Sequence, residues 1–446
     1  MRLTILGWLL ISGMVVACTA DPAHEERSPT ASDKHPIEQK DASTSSSSSS
    51  TSSTAIPTAS ISPATTVPGH AVPPSDSPAP TASTEVPGSQ SADSERLATL
   101  QDGLDGLLEI SGALGGLVAL RRGSGDPMIV TAGAIDEGGA PMTIDRPFPI
   151  ASVTKSLTAA LVVDLAREGS VELDAPISRW LDWPDGDRIT LRQLLTHTSG
   201  IGAWAPSSAD GTFDQALFSD LGANHALADV VELARNVPTV GPPGGQTFYS
   251  NLNYILAGRI VELAGQAPFA QLLAQRLTAP LGLAATTYPA GLDPTVGADP
   301  LPGTFEYPEG VIVRTTDFPQ AAFISLMGPA AAAMSTVHDL LAWSDSLFRT
   351  QRMGDVSLSP LLEIEPSGSG LGVLGIDRET GSCVFSQCPD DVDFEYLGLN
   401  GEAPGSAVRL WYDPATDTTL LIYLNRDGTS LDHSLTQLMT RVATPT

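Results

Sequence analysis

The chain changes character near residue 93, and that break decides how much of it can fold. Residues 19–93 are rich in Ser, Thr, Pro and Ala, and every residue from Ser43 to Thr54 is Ser or Thr. Such a stretch cannot bury enough apolar surface to offset the entropy lost on ordering it. Residues 18–93 therefore read as a disordered tether. Roughly 75 residues of coil have an end-to-end distance on the order of 50 Å. Ser/Thr clusters with Pro also suit O-linked sugar. The folded part is thereby confined to 94–446, enough for a large core.

Within it, the apolar periods set the elements. Leu97, Leu100, Leu104 and Leu107 predict an amphipathic helix over 94–110. Leu117–Arg121 and Met128–Ala132 read as strands joined by a turn at Gly123-Ser124-Gly125-Asp126. Helix signals dominate from 152 to about 280. Strand signals return at Leu371–Ile376, Phe394–Leu399, Ala407–Tyr412 and Thr419–Leu424, and a helix closes the chain at 430–442. Strands at both ends with helices between predict one mixed α/β sheet domain with an inserted helical region. No internal repeat is visible.

The N-terminus reads as an address. Arg2 precedes the apolar run Leu3–Val16, then Ala17 and Cys18. That pattern is a secretory signal over residues 1–17, and the run is shorter than the ~20 residues a spanning helix needs. The sequence V-V-A-C resembles the lipobox of bacterial lipoproteins. The resemblance implies lipid acylation of Cys18 and an extracytoplasmic protein anchored to the cell membrane. Cys383 and Cys388 then remain, and an even pair in an oxidising compartment suggests a disulfide. A metal site would need more soft ligands nearby, so no metal or cofactor is expected. The net charge of −28 disfavours nucleic acid and anionic membrane surfaces as partners. A small-molecule or peptide substrate remains.

Lysine usage points to the chemistry. The chain contains only Lys34, Lys40 and Lys155, so the folded part carries its other cationic side chains as Arg. Arg stays protonated, whereas a buried Lys can lose its proton and act as a base. Lys155 closes the motif Ser152-Val153-Thr154-Lys155, just after Pro149 and at the head of an apolar helical run. A Ser in a first turn has an unsatisfied N–H and the helix dipole to stabilise an oxyanion. A residue three further on returns to the same face, so Lys155 can reach Ser152 Oγ and take its proton. S-x-x-K alone is a weak motif, and a surface Lys on an ordinary helix is the plain alternative. The scarcity of Lys is what favours the catalytic reading. A second element is Tyr249-Ser250-Asn251, where a Tyr can relay protons and an Asn can orient a carbonyl. A buried Tyr and a capping Asn would look the same in isolation.

Together with Leu194-Leu195-Thr196-His197-Thr198-Ser199-Gly200, these motifs resemble the β-lactamase-related serine hydrolases. The family includes class C β-lactamases, D-alanyl-D-alanine carboxypeptidases and esterases. The stretches 244–262 and 334–344 are also similar to it, and the resemblance runs from about 95 to 442. It implies a β-lactamase/transpeptidase-like fold: a mainly antiparallel sheet flanked by helices, an all-α domain, and an active site between them. Carried over, Ser152 is the acylated nucleophile, Lys155 its base and Tyr249 the proton shuttle. Asn251 contacts the substrate's acyl amide, and His197 is structural. The family's third motif, a basic residue, any residue, then Gly, falls on Leu399-Asn400-Gly401, followed by Glu402. These four line the substrate site, with the oxyanion N–H on Glu402. Leu399 stands where the family has a cation for a substrate carboxylate. An ester or amide hydrolase is therefore expected ahead of a carboxypeptidase or β-lactamase. The alternative of another class is a silent binding or sensor module. Neither G-x-S-x-G nor H-E-x-x-H occurs.

Overall fold

The computed structural model describes residues 89–443 apart from 207, 209, 290–299, 308–310, 318, 379–393 and 428–430. The expected signal, the tether up to residue 88, Cys18, Cys383 and Cys388 all lie outside the described residues.

Six strands form one sheet: β1 (Gly115–Arg122), β2 (Met128–Gly133), β3 (Leu374–Ile376), β4 (Tyr396–Ala403), β5 (Ser406–Asp413) and β6 (Thr418–Leu424). Their order is β2-β1-β6-β5-β4-β3, and every neighbouring pair is antiparallel. Five helices matter most for the site: α1 (Ser89–Ser111), α2 (Thr154–Arg167), α3 (Asn251–Gly265), α4 (Val337–Ser344) and α5 (Asp432–Ala443).

Both faces of the sheet are covered, which explains its sequence. β5 and β6 are buried along their whole length, so they read as apolar runs and not as alternations. On one face, Leu100, Leu104 and Leu107 of α1 and Leu435, Leu438 and Met439 of α5 meet Val118, Leu120, Trp411 and Ile422. On the other, Leu117, Ala119, Leu399, Leu410 and Leu421 join the core that contains Leu157 and Leu161 of α2. α2 is buried from Thr154 to Leu165. A helix buried all round belongs inside a large domain, and α2 packs against α3 within the core that also covers this face of the sheet.

The mainly antiparallel sheet with flanking helices agrees with the expected fold. Several element limits differ. The 371–373 part of the third predicted strand is loop, because Gly370 and Gly372 break it and Gly372 sits at φ 76°. β4 runs on to Ala403 and carries Leu399-Asn400-Gly401-Glu402 inside the strand. Helix signals over 152–280 correspond to separate helices joined by long loops. Three small pairings went unread: Phe148–Pro149 with Met334–Ser335, Thr304–Tyr307 with Val311–Arg314, and Arg352–Met353 with Val356–Ser357. Strands this short show no period in sequence.

Candidate active site

Ser152 sits in a 3-10 turn, Ala151–Val153, that runs directly into α2. The sequence predicts a helix start; the structure puts the serine in the tighter turn before it. Ile150 N–H donates to Ala333 O at 3.0 Å, and Ala151 follows at φ 47°. A non-glycine residue in the left-handed region costs about 1–2 kcal/mol and persists only where its surroundings hold it. Here they do: from Ile150 to Leu165 every residue is buried except Ser152. β4 closes on this turn through Gly401, where a Cβ would lie 2.4 Å from Ile150 O.

Lys155 reaches back along α2. Its Nζ lies 2.9 Å from Ser152 Oγ, 2.7 Å from Asn251 Oδ1 and 3.0 Å from Ala330 O. The side chain is buried, and that burial pushes its pKa well below the usual lysine range. Among the described residues no carboxylate is paired with it. The segment that supplies Ala330 is stitched to α2: Ala333 N–H donates to Thr154 Oγ1 (3.1 Å) and Thr158 Oγ1 donates to Pro329 O (2.7 Å).

Tyr249 Oη donates to Ser152 Oγ at 2.7 Å. Burial raises its pKa above the usual tyrosine range, so the phenol stays protonated at neutral pH. His197 lies against it, ring centroids 4.4 Å apart. Its Nδ1 accepts from Ser250 N–H at 3.2 Å and lies 3.2 Å from Asn253 Nδ2. Burial and the nearby Lys155 lower its pKa, so it stays neutral. With Nδ1 occupied, His197 supports Tyr249 and makes no triad, as the structural expectation has it.

Two expectations gain detail from the geometry. Asn251 turns both ends of its amide to the protein: Oδ1 accepts from Lys155 and Nδ2 donates to Trp204 O at 3.1 Å. Asn251 therefore holds Lys155 at the edge of the cleft. The other concerns β4. Leu399 lines the cleft and Gly401 meets the Ser152 turn, whereas the side chains of Asn400 and Glu402 project from the opposite face; Asn400 still lines the cleft, and Glu402 is expected there by its N–H. Asn400 Oδ1 accepts from Trp411 Nε1 at 2.7 Å, and Glu402 pairs with Arg409 at 2.5 Å. Strand side chains alternate, so Asn400 and Glu402 serve the cleft through the backbone and not through their side chains.

The cleft beside Ser152 is small, enclosing about 20 Å³ of water-accessible space. Leu195, Val373, Leu374 and Leu399 make much of its wall, with Ser369 beside them. The 369–374 loop was missed from sequence. Its signal is the glycine-dense run Gly368-Ser369-Gly370-Leu371-Gly372; a Cβ at Gly372 would lie 2.9 Å from Lys155 O. Chemically, the arrangement offers a part-exposed hydroxyl flanked by an amine and a phenol, in a largely apolar cleft whose one basic amine is Lys155.

Comparison with known proteins agrees with this geometry. Esterase EstB of Burkholderia gladioli is 36% identical over 157 residues, covering 33% of this chain and 40% of that protein. The D-alanyl-D-alanine-carboxypeptidase/endopeptidase AmpH of Escherichia coli K12 is 31% identical over 160 residues, covering 32% and 37%. The matched region thus spans about two-fifths of these relatives' length. The fold is shared with D-amino acid amidase from Ochrobactrum anthropi SV3, solved with D-phenylalanine (TM-score 0.65, 24% identity, 78% of this chain and 98% of that one). The family model described as Beta-lactamase matches residues 98–444, nearly the whole folded part, and the chain belongs to that family.

Proposed function

We propose that the chain is an extracytoplasmic, lipid-anchored serine hydrolase that cleaves an ester or amide through an acyl-Ser152 intermediate. The observation that carries this is the bracketing of Ser152 Oγ by Lys155 Nζ at 2.9 Å and Tyr249 Oη at 2.7 Å. A neutral lysine amine has two N–H groups and one lone pair. Asn251 Oδ1 and Ala330 O accept the two protons, which leaves the lone pair for the Ser152 hydroxyl.

Ser152 Oγ then attacks the substrate carbonyl while its proton passes to Lys155. The developing oxyanion accepts from the Ser152 N–H and from an N–H of β4. The ladder supports Glu402 as that donor. β4 and β5 close at Ala403↔Ser406 across a two-residue turn. Alternate peptide groups then bond across the ladder, and those of Glu402 fall on the open edge. Collapse breaks the C–O or C–N bond. Tyr249 gives its proton to the leaving alcohol or amine and recovers one from Lys155. Water adds to the acyl-enzyme by the reverse traffic, and Ser152 leaves with its proton restored.

The apolar wall and Leu399 favour acyl groups without a free carboxylate. The names esterase and amidase borne by relatives support the same class. AmpH supports a second reading, hydrolysis of cell-wall peptides. Arg2, the Leu3–Val16 run and Cys18 support export and anchoring.

The test uses the purified full chain with a fluorophosphonate probe and, separately, a fluorescent penicillin, with Ser152→Ala as control. Labelling by the first alone supports an esterase or amidase. Labelling by both favours the cell-wall or β-lactam reading. Labelling by neither refutes an active hydrolase and leaves the binding module. Loss of radiolabelled palmitate in Cys18→Ser would support the anchor; equal incorporation would refute it.

A further inference from the structure

The reaction turns Lys155 from an amine into an ammonium inside the protein. A buried ammonium is costly without compensation. Carboxylates usually supply it, yet among the described residues Lys155 enters no ion pair. Glu402, which acts electrostatically on Tyr249, is held by Arg409 on the other face of the sheet. The polar groups that face the amine are Ser152 Oγ, Asn251 Oδ1 and Ala330 O. The titratable groups around it are Tyr249, Tyr254 and His197. His197 is neutral and Tyr249 is committed to the proton relay.

Tyr254 remains. It lies on α3, fully buried, and lines the cleft beneath the amine. Lys155 Nζ stands over its ring, 5.7 Å from the centroid. Its hydroxyl takes no part in the relay, because it donates to Leu195 O at 2.7 Å. That bond and the contact with His197, ring centroids 5.3 Å apart, fix the ring plane. A ring face attracts a cation within about 6 Å of its centroid, and more strongly when both are desolvated. An amine without charge gains little from it.

We infer that Tyr254 is a positioning residue whose ring face stabilises the ammonium form of Lys155 while Ser152 is being acylated. The inference rests on the reading of Lys155 as the base. It gives Tyr254 a part in the rate that its distance from the substrate carbonyl would not suggest.

The test keeps the packing and changes the ring. Tyr254→Phe removes the hydroxyl and keeps the negative face. Tyr254→pentafluorophenylalanine keeps the shape and reverses the face. The rate at which full-length protein is labelled by a fluorophosphonate is followed against pH, with melting curves to show that each variant is folded. In the wild type, labelling should rise with pH as Lys155 deprotonates. Tyr254→Phe should keep that acid limb. The pentafluoro variant should move it to lower pH by about 0.4–1.5 units and slow the plateau by about two- to thirtyfold. An acid limb that is present in the wild type and unmoved in the pentafluoro variant overturns the inference alone. A limb moved equally by Phe overturns it too, since the hydroxyl would then be the cause. A wild type with no acid limb overturns the reading of Lys155, and the inference falls with it.

Discussion

Gly401→Ala adds one carbon at the place where β4 meets the turn that carries Ser152. The new Cβ would lie 2.4 Å from Ile150 O and 3.3 Å from Ala151 Cβ. A tolerable C···O contact begins near about 3.3 Å, so strand and turn must part by roughly 1 Å. Both partners are backbone, one of them in a strand paired along its length with β5, and neither can yield as a side chain could. The separation acts on the relation between the Ser152 hydroxyl and the open edge of β4. A misplacement of that size costs on the order of 10²-fold in rate, and the overpacking costs about 1–3 kcal/mol in stability. Gly398→Ala is the control. It lies in the same strand on the opposite face, where its Cβ would meet side-chain atoms of Ile376 at 2.8 Å and Trp411 at 2.9 Å. It should lower stability comparably and leave the site alone. The assay pairs a melting curve with the rate of fluorophosphonate labelling. Gly401→Ala at wild-type rate while folded, or equal losses in the two variants, would refute the argument from close approach.

Three further outcomes follow from the site. Tyr249→Phe should slow hydrolysis of an alkyl ester by about 10²–10⁴-fold, and a p-nitrophenyl ester far less, because its leaving group needs no proton; equal losses on both would sink the acid role. The kcat/KM profile should rise with pH as Lys155, its ammonium disfavoured by burial, loses its proton, and should stay high until Tyr249 ionises above the usual tyrosine range; a profile that falls as pH climbs through neutrality would contradict this sign. Leu399→His should raise the rate of acylation by penicillin if the absent cation is what limits it, and an unchanged rate would reject that explanation.

The residues legible in sequence are those whose side chains carry the chemistry. Ser152 and Lys155 stand three apart on one turn, and Tyr249 and Asn251 begin the next buried helix, so local spacing reveals them. Ala330 contributes a carbonyl oxygen and Gly372 a close approach. Any residue type can supply the first and the sequence marks the second only as a glycine, so both emerge from the tertiary fold alone. The contacts of Asn251 were hidden for a related reason: Trp204 O, its second partner, lies 47 positions away. Asn400 and Glu402 were assigned to the cleft with Leu399 and Gly401 because the motif is contiguous. The pleat turns the side chains of Asn400 and Glu402 away to Trp411 and Arg409, while the strand itself still lines the cleft.

The strand order has a consequence in time. β1 pairs with β6 through Gly116↔Leu424, so the first hairpin joins the rest of the sheet only through the last strand made. Until then the edges of β1 and β5 that β6 will fill are both unpaired. At about 5–20 residues per second, the 308 positions between Gly116 and Leu424 take on the order of 15–60 s to synthesise. For that interval the chain holds two incomplete half-sheets with unpaired strand edges, which are templates for aggregation. A chain stopped before Thr418 would contain Ser152, Lys155, Tyr249 and Leu399, yet it would lack the strand that joins those halves.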